Sequence, residues 1–285
     1  LQLDCTPEGP TDGSYSWSPG TVTFSPSANI KNPTFSANQS GNYTASVSYS
    51  LGGATVGDTS GTIAVVRVTS VVATADYACV GQNVTFGAVT HPLNCGSLVT
   101  VTWSGGQNPA TGTGSQWTTN WSTPGTKTVS ATIGTSSAQK NVTVVEVDKL
   151  QYNDPDTGYT DISGTLYVYQ GTTVTFKAVP DPCGASWPTG KPVWGGSSGA
   201  SGTGTTKAVT FSTLSTSTSD YKTVTGECGN TVTANVVVYW FQGIPVPDVI
   251  FEGRSYDQYG VEETVALAHT TYPSGITGLP LEWKL

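Results

Sequence analysis

Charged residues are scarce in this chain of 285 residues. It has 11 Lys and Arg against 19 Asp and Glu, a net charge of −8. Binding to phosphates needs a basic patch, so this composition argues against nucleic acid as a partner. Long apolar runs are also missing: the longest, "ANVVVYWF", ends at Phe241 and is far shorter than the roughly 18 residues that cross a bilayer. We therefore expect no membrane span in this segment.

Apolar patterns with the period of a helix are absent as well. Short valine-rich runs alternate instead with bursts of glycine, proline, serine and threonine, and the chain contains 34 Gly and 17 Pro. Runs of this length, bounded by turn-forming residues, are typical of strands. The sequence therefore predicts an all-β protein.

A tryptophan before a turn recurs along the chain at intervals of roughly 90 residues. The first three copies are each followed by a valine-rich closing strand, namely "TIAVVRV", "NVTVVEV" and "TVTANVVVYW". This period, with one central tryptophan per unit, matches an immunoglobulin-like (Ig-like) β-sandwich. We predict tandem Ig-like β-sandwich domains in series, with these tryptophans packed in their cores: Trp17, Trp103, Trp194 and Trp283.

The repeat predicts three domain boundaries, near residues 68, 147 and 240. The domains are then 1–68, which lacks strand A and most of strand B, 69–147, 148–240, and 241–285, which starts a fourth domain and stops after strand C. Half a sandwich leaves core side chains exposed. We therefore expect an interior piece of a longer protein. The alternative is head-to-tail assembly, in which residues 241–285 of one molecule supply the missing strands of the next.

The stretches "TPGTKTVSATIGTSSAQKNVTVVEV" and "CVGQNVTF…VTWSGG" resemble the tandem PKD-like and bacterial Ig-like domains of large extracellular and cell-surface proteins of bacteria. The resemblance covers nearly the whole chain. It implies a β-sandwich used as a stalk, spacer or adhesive module outside the cell, and it implies no activity. The chain has "WSPG", "WSGG" and "WGGS" where the PKD pattern has "WDFGDG", so the choice between the two families stays open.

Two of the five cysteines are expected to form a disulfide. Cys183 falls between predicted strands B and C, and Cys228 falls in the turn between F and G. Those two loops lie at the same end of an Ig sandwich, so a Cys183–Cys228 bond is geometrically reasonable. The only histidines, His91 and His269, belong to other repeats, and no C-x-x-C motif occurs, which argues against a catalytic thiol or a zinc site.

The pairing of the other three cysteines stays open at this stage. Cys79 precedes strand B and Cys95 follows it, so a straight strand would hold them roughly 20 Å apart. Cys5 has no visible partner in its own repeat. A structural disulfide would indicate an oxidising compartment, and we expect an extracellular or cell-surface location.

One acidic stretch could bind a cation. "YNDPDTGYTD" places Asp154, Asp156 and Asp161 around Gly158, and alternating carboxylates on a tight turn suit calcium. The other interpretation is an Asx/Pro turn that leads into a strand, since the full calcium-loop spacing is not met. Calcium is the only cofactor that the sequence suggests.

A non-catalytic structural or adhesive role is the predicted function, with other copies or further domains of the same protein as partners. "GGSSG" around Ser197 has the G-x-S-x-G spacing but neither the following helix nor a histidine in its repeat. The alternatives are an accessory region of a larger extracellular enzyme, or binding of cell-surface glycan by tryptophans outside the repeated position. Those tryptophans, which could equally pack under loops, are Trp117, Trp121 and Trp187.

Overall fold

The structure, a computed structural model, confirms the all-β class and contains 26 strands in the part of the chain that it describes. The described residues are 3, 13–19, 22–25, 27–93, 95, 99–243, 249–251, 254–256 and 270–276.

The chain divides into two compact units, and it crosses between them several times. The first unit consists of Leu1–Asp76, Asn83–Ser122 and Thr126–Val142. The second unit consists of Tyr77–Gln82, Thr123–Gly125 and Thr143–Leu285. The short segment Tyr77–Gln82 thus belongs to the second unit although its sequence neighbours on both sides belong to the first.

The first sequence repeat forms paired short strands in the first unit. Its strands are β1 (Ser14–Ser18), β2 (Thr23–Ser25), β3 (Thr34–Ser36), β4 (Gly41–Tyr43), β5 (Ser46–Leu51), β6 (Ala54–Thr59) and β7 (Ile63–Val65). β1, β5 and β6 form an antiparallel sheet in which Trp17 lies opposite Val47, and β4 pairs with β7. Trp17, Phe35 and Ala45 form the centre of a small apolar core.

The second sequence repeat forms an Ig-like sandwich that lies in the first unit except for its short strand Tyr77–Cys79, which belongs to the second unit. Its strands are β8 (Arg67–Ala73), β9 (Tyr77–Cys79), β10 (Val84–His91), β11 (Thr102–Ser104), β12 (Thr111–Thr113), β13 (Gln116–Thr119) and β14 (Gly125–Ile133). One sheet has the order β13-β10-β8, and β12, β11 and β14 follow one another in the other. The Phe86 ring on β10 lies 6.4 Å from the Trp103 ring on β11, so the two sheets face each other.

A single long strand, β15 (Ser136–Asp154), pairs with β14 and then continues into the third repeat. The remaining strands are β16 (Gly158–Asp161), β17 (Thr165–Tyr169), β18 (Thr173–Asp181), β19 (Val193–Gly195), β20 (Gly202–Thr203), β21 (Thr206–Thr210), β22 (Lys222–Cys228), β23 (Asn230–Gly243), β24 (Val249–Phe251), β25 (Arg254–Tyr256) and β26 (Thr270–Tyr272).

The third repeat forms a second sandwich, which lies in the second unit. The later half of β15 pairs with β18, and β18 pairs with β21. The facing sheet has the order β17-β23-β22-β19-β20. Phe176 from β18 and Trp194 from β19 are buried in one core cluster with Val224. Alternation of buried and exposed residues along these strands places the valines inside, as half-buried strands require.

The predicted domain limits 1–68, 69–147, 148–240 and 241–285 stay predictions. Residues 68, 147 and 240 each lie inside a strand, namely β8, β15 and β23. The strands that close the second and third repeats, β15 and β23, therefore run past these limits without interruption.

Candidate functional site

The repeated tryptophans occupy equivalent places in the structure. Trp17, Trp103 and Trp194 are buried. Each indole N–H also donates a hydrogen bond to a main-chain carbonyl some way along the same repeat, which satisfies the one polar atom of the ring. The acceptors are Ile30 O at 2.9 Å, Gly114 O at 2.7 Å and Gly204 O at 2.6 Å. These side chains therefore pack in cores, while Trp283 lies outside the described residues.

The tryptophans considered for glycan binding are packing residues. Trp117 is buried and stacks on Trp103, with ring centroids 6.0 Å apart. Trp121 is buried as well, and its indole N–H donates to Gly105 O at 3.2 Å. Trp187 is half-buried against the core cluster of the third repeat. Trp117 and Trp121 therefore offer no open ring face to a sugar.

Cys79 and Cys228 meet inside the second unit. β9 pairs in parallel with β15, so Cys79 lies opposite Val145. Cys228 is the last residue of β22, and its Sγ lies 3.6 Å from Val145 O. The two cysteines form a disulfide with their Cα atoms 5.0 Å apart, within the usual range. Their exposed fractions are only 4% and 0%. The bond joins two sequence repeats within one compact unit.

The predicted Cys183–Cys228 bond is therefore wrong. Along β22 the residues Val224, Gly226 and Cys228 are buried while Glu227 is exposed, so Cys228 faces inward. Cys183 is an exposed free thiol in the connection between β18 and β19. The two loops do belong to one sandwich, but their cysteine side chains face in different directions.

The other cysteines do not form a second bond among the described residues. Cys95 is a half-buried free thiol that follows β10. Cys5 lies outside the described residues. Cys79, whose pairing the sequence leaves open, is thus bonded to Cys228 of the next repeat.

The turn that follows Cys228 fixes this junction further. Asn230 accepts a hydrogen bond from Val147 N at 2.9 Å and donates one to Val147 O at 2.7 Å. Gly229 has φ +84°, and a Cβ on it would overlap the carbonyl oxygen of Val80. Only glycine combines this backbone conformation with so close an approach. We name Cys79, Val80, Val147 and Cys228–Asn230 the junction site.

An equivalent contact occurs in the first unit at the preceding repeat. Val68 and Val147 are the last residues of the repeated segments "TIAVVRV" and "NVTVVEV". The hydroxyl of Ser136, which follows the turn after β14, donates to Val68 O at 3.2 Å. The turn between the last two strands of a repeat thus bonds to the same main-chain position in both cases. Only the junction site adds a disulfide to this contact.

The three aspartates of the calcium hypothesis do not converge. Asp154 Oδ1 accepts hydrogen bonds from the main-chain N–H groups of Asp156 at 2.9 Å and Thr157 at 3.1 Å, the geometry of an Asx turn. These bonds hold the pKa of the Asp154 carboxyl below its ordinary value, with the bond from Asp156 as the main cause. The carboxylate therefore already has donors.

Asp161 lies further along the same hairpin, opposite Gln151, whereas Asp154 lies opposite Gly158. Its carboxylate accepts hydrogen bonds from Lys149 Nζ at 2.6 Å and from Gln151 Nε2 at 2.8 Å, and the lysine lowers the pKa of this carboxyl. Within the described ranges, no three His, Cys, Asp or Glu side chains group closely enough to hold a metal ion. Calcium binding stays a prediction that this geometry does not favour.

A group of tyrosines on the outer sheet face of the second unit was not predicted from the sequence. Tyr167 and Tyr169 alternate on β17 with the buried Val168 and are 39% and 46% exposed. Tyr169 lies opposite Tyr239 of β23, and their rings meet edge to face at 5.9 Å. Burial, with the nearby Tyr169 as a smaller cause, raises the pKa of Tyr239. The alternation in "TLYVY" is the signal that could have indicated this patch.

The described residues that resemble catalytic groups have structural partners. Ser197 Oγ accepts a hydrogen bond from Thr223 N at 2.9 Å and lies 3.2 Å from Thr223 Oγ1. His91 Nδ1 lies 2.8 Å from Ser40 Oγ in the first unit. These contacts of Ser197 with Thr223 hold its loop against β22.

No protein-family model and no curated protein matches this chain. Solved structures that resemble it include the C-terminal 282-residue fragment of intimin in complex with the intimin-binding domain of its translocated receptor, at 19% identity and TM-score 0.35, covering 62% of this chain and 67% of that one.

Three N-terminal domains of the bacteriophage RB49 highly immunogenic outer capsid protein match at 14% identity and TM-score 0.34, over 83% of this chain and 90% of that one. Domains 4–9 of the surface layer protein SbsC match at 15% identity and TM-score 0.24, over 82% and 40%.

In the part of the chain that the structure describes, there is no helix long and apolar enough to cross a membrane.

Proposed function

We propose that this chain is a non-catalytic structural or adhesive segment of a secreted or surface-anchored bacterial protein, in which it forms part of a stalk, surface coat or fibre. Its partners are other copies or further domains of the same protein. The single observation behind this proposal is the junction site, where a buried disulfide joins residues of consecutive repeats.

A bond of this kind suits a spacer better than a catalyst. It closes a sequence separation of 149 residues, so it constrains the unfolded chain strongly. Disulfides persist in oxidising surroundings and are rare where cellular thiols keep cysteines reduced. The strand β15 closes one repeat and opens the next, and this sharing of one strand by consecutive repeats supports the same role.

Labelling of intact cells that make the natural protein tests this proposal. A membrane-impermeant biotin ester is applied before lysis, while thiols are alkylated before and after reduction. We expect biotin on this segment, with Cys79 and Cys228 alkylated only after reduction. A segment that stays unlabelled on intact cells, with both thiols free, would contradict the proposal.

Carbohydrate binding is a second candidate function, and the tyrosine patch favours it. Tyr167 and Tyr169 present rings on an outer sheet face, and exposed aromatic rings can stack on the apolar faces of sugars. Of the tryptophans that first suggested this function, Trp117 and Trp121 are buried and Trp187 is half-buried, so the patch replaces them as the candidate surface.

Glycan-array binding with matched variants tests the second candidate. Tyr169→Ala should abolish any glycan signal of the wild-type chain. Tyr159→Ala is the control, because Tyr159 is similarly exposed at 40% but lies on β16 beside Lys177. No wild-type binding, or equal loss in both variants, would rule the patch out.

A further inference from the structure

Two covalent routes connect Cys79 and Cys228. One is the main chain, with a sequence separation of 149 residues, and the other is the disulfide itself. When a chain is pulled taut from its ends, tension follows the shorter covalent path. The main chain between the two cysteines then forms a closed loop beside that path.

We propose that the Cys79–Cys228 disulfide is a mechanical bypass. Tension along the chain enters at Cys79, crosses to Cys228 and leaves through β23, so that residues 80–227 bear none of it. This path depends only on the covalent connections of the chain and is the same whatever partner the protein has.

The bypassed loop contains most of both Ig-like sandwiches. It includes every strand from β10 to β22. The core tryptophans Trp103 and Trp194 lie in it, and so do the buried rings of Phe86 and Phe176. Strand β23 supplies Ala234, Val236 and Val238 to the second core and lies outside the loop. Tension therefore pulls on β23 directly but cannot extend residues 80–227.

At the junction site the tensioned path passes through β9 and β23. β9 has three residues and is held by its parallel pairing with β15, which the bond from Val80 N to Val145 O at 3.0 Å extends. On the other side, β23 pairs with β22 and β17, and Asn230 is bonded to Val147. These contacts resist the force first, and the disulfide takes the load when they open.

The burial of the two sulfur atoms protects the bypass while the unit is folded. Thiol–disulfide exchange requires a thiolate to reach one of the sulfurs. Cys79 and Cys228 are 4% and 0% exposed, so a reductant reaches them only after local opening. The free thiol of Cys183 is exposed in the same unit but lies in the connection after β18.

Single-molecule pulling of the full 285-residue chain from both ends tests the proposal, with the fully stretched length as the readout. The oxidised wild type should be shorter than Cys228→Ser by about 540 Å, the length of the closed loop at about 3.6 Å per residue. Dithiothreitol added under constant tension should release the same length in the wild type, as two thiols replace the disulfide. The main chain of residues 80–227 should lengthen only after that release.

The stretched length depends on the covalent path alone. The comparison of lengths therefore remains valid even if Cys228→Ser folds poorly. Cys183→Ser is the matched control and should leave the wild-type length unchanged. Equal lengths for the oxidised wild type and Cys228→Ser would overturn the proposal. A difference of about 160 Å would also overturn it, since that is the length of the roughly 45 residues that a Cys183–Cys228 bond would close.

Discussion

Asn230 exchanges two hydrogen bonds with the main chain of Val147: its Oδ1 accepts from Val147 N at 2.9 Å, and its Nδ2 donates to Val147 O at 2.7 Å. Val147 is 1% exposed, so water cannot replace these bonds. One amide side chain thus satisfies both polar groups of a buried residue at the point where the second repeat ends.

Replacement of Asn230 should therefore be costly. Asn230→Ala leaves a buried N–H and a buried carbonyl without a partner, and we expect a loss of about 2–4 kcal/mol in the free energy of unfolding. Asn235→Ala, on the same strand but away from Val147, should cost clearly less. Urea denaturation of both variants measures the difference, and equal losses would show that the Val147 bonds contribute nothing special.

Gly229→Ala should be destabilising for two separable reasons. The residue has φ +84°, which costs a side chain about 1–2 kcal/mol, and its Cβ would also overlap Val80 O. Gly171→Ala is the matched control, because its φ is +87° and its Cβ would have open space. We expect thermal unfolding to show a distinctly larger loss for Gly229→Ala. Similar losses would mean that the turn can move away from Val80.

Removal of the disulfide should lower stability by about 5 kcal/mol in the chain-entropy model, given the long loop that it closes. The double variant Cys79→Ala/Cys228→Ala tests this by urea denaturation under oxidising conditions, with Cys183→Ala as the control that should change little. Non-reducing peptide mapping of the wild type should find the peptides of Cys79 and Cys228 linked. A linked peptide that contains Cys183 would contradict the structure.

Acid should weaken the fold through three aspartates whose pKa is lowered in the folded chain. The causes are the main-chain N–H of Asp156 for Asp154, the lysine Lys149 for Asp161, and the main-chain N–H of Thr216 for Asp220. A carboxyl with a lowered folded pKa stabilises the fold above its unfolded pKa, about 3.9, and this stabilisation is lost as the pH falls through the folded value.

We therefore expect the urea midpoint to fall progressively below about pH 5. Asp154→Asn keeps the acceptor oxygen of the Asx turn but does not titrate, so its acid dependence should be shallower than that of the wild type. Asp156→Asn, in the same turn, is the control for removal of one charge. Identical pH profiles for the wild type and Asp154→Asn would refute this role of Asp154.

Trp117→Phe should be tolerated better than Trp103→Phe. Both rings are buried, but Trp103 Nε1 donates to Gly114 O at 2.7 Å, whereas Trp117 Nε1 is buried with no hydrogen-bond partner among the described residues. Because an unsatisfied buried donor is itself unfavourable, we expect the loss at Trp117 to be smaller by about 1–2 kcal/mol. Urea denaturation of the two variants decides this, and a reversed order would show that the Trp117 N–H has found a partner.

The repeats and their cores could be predicted from the sequence because they depend on local patterns. Trp103 and Trp194 each stand in a short strand before a glycine turn, and valines alternate in the strands that follow, so period and spacing suffice. The packing of Trp17 was predicted by the same argument.

The junction site could not be predicted in this way. It depends on β9, a three-residue strand whose letters "YAC" show no alternation, and on its parallel pairing with β15 some 66 residues later, since Thr143 lies opposite Tyr77. Sequence position placed Cys183 and Cys228 at one end of a sandwich but not the direction of their side chains. Burial along β22 decides that direction, and it depends on what packs there.

The junction site also determines how the protein responds to proteases. A single cut in any loop between Val80 and Glu227, for example in the exposed connection that precedes Tyr221, separates the main chain into two pieces that the buried Cys79–Cys228 bond keeps together. Such a nicked molecule remains one covalent species until it is unfolded and reduced. A single cut at any point over more than half of the chain therefore sheds no fragment.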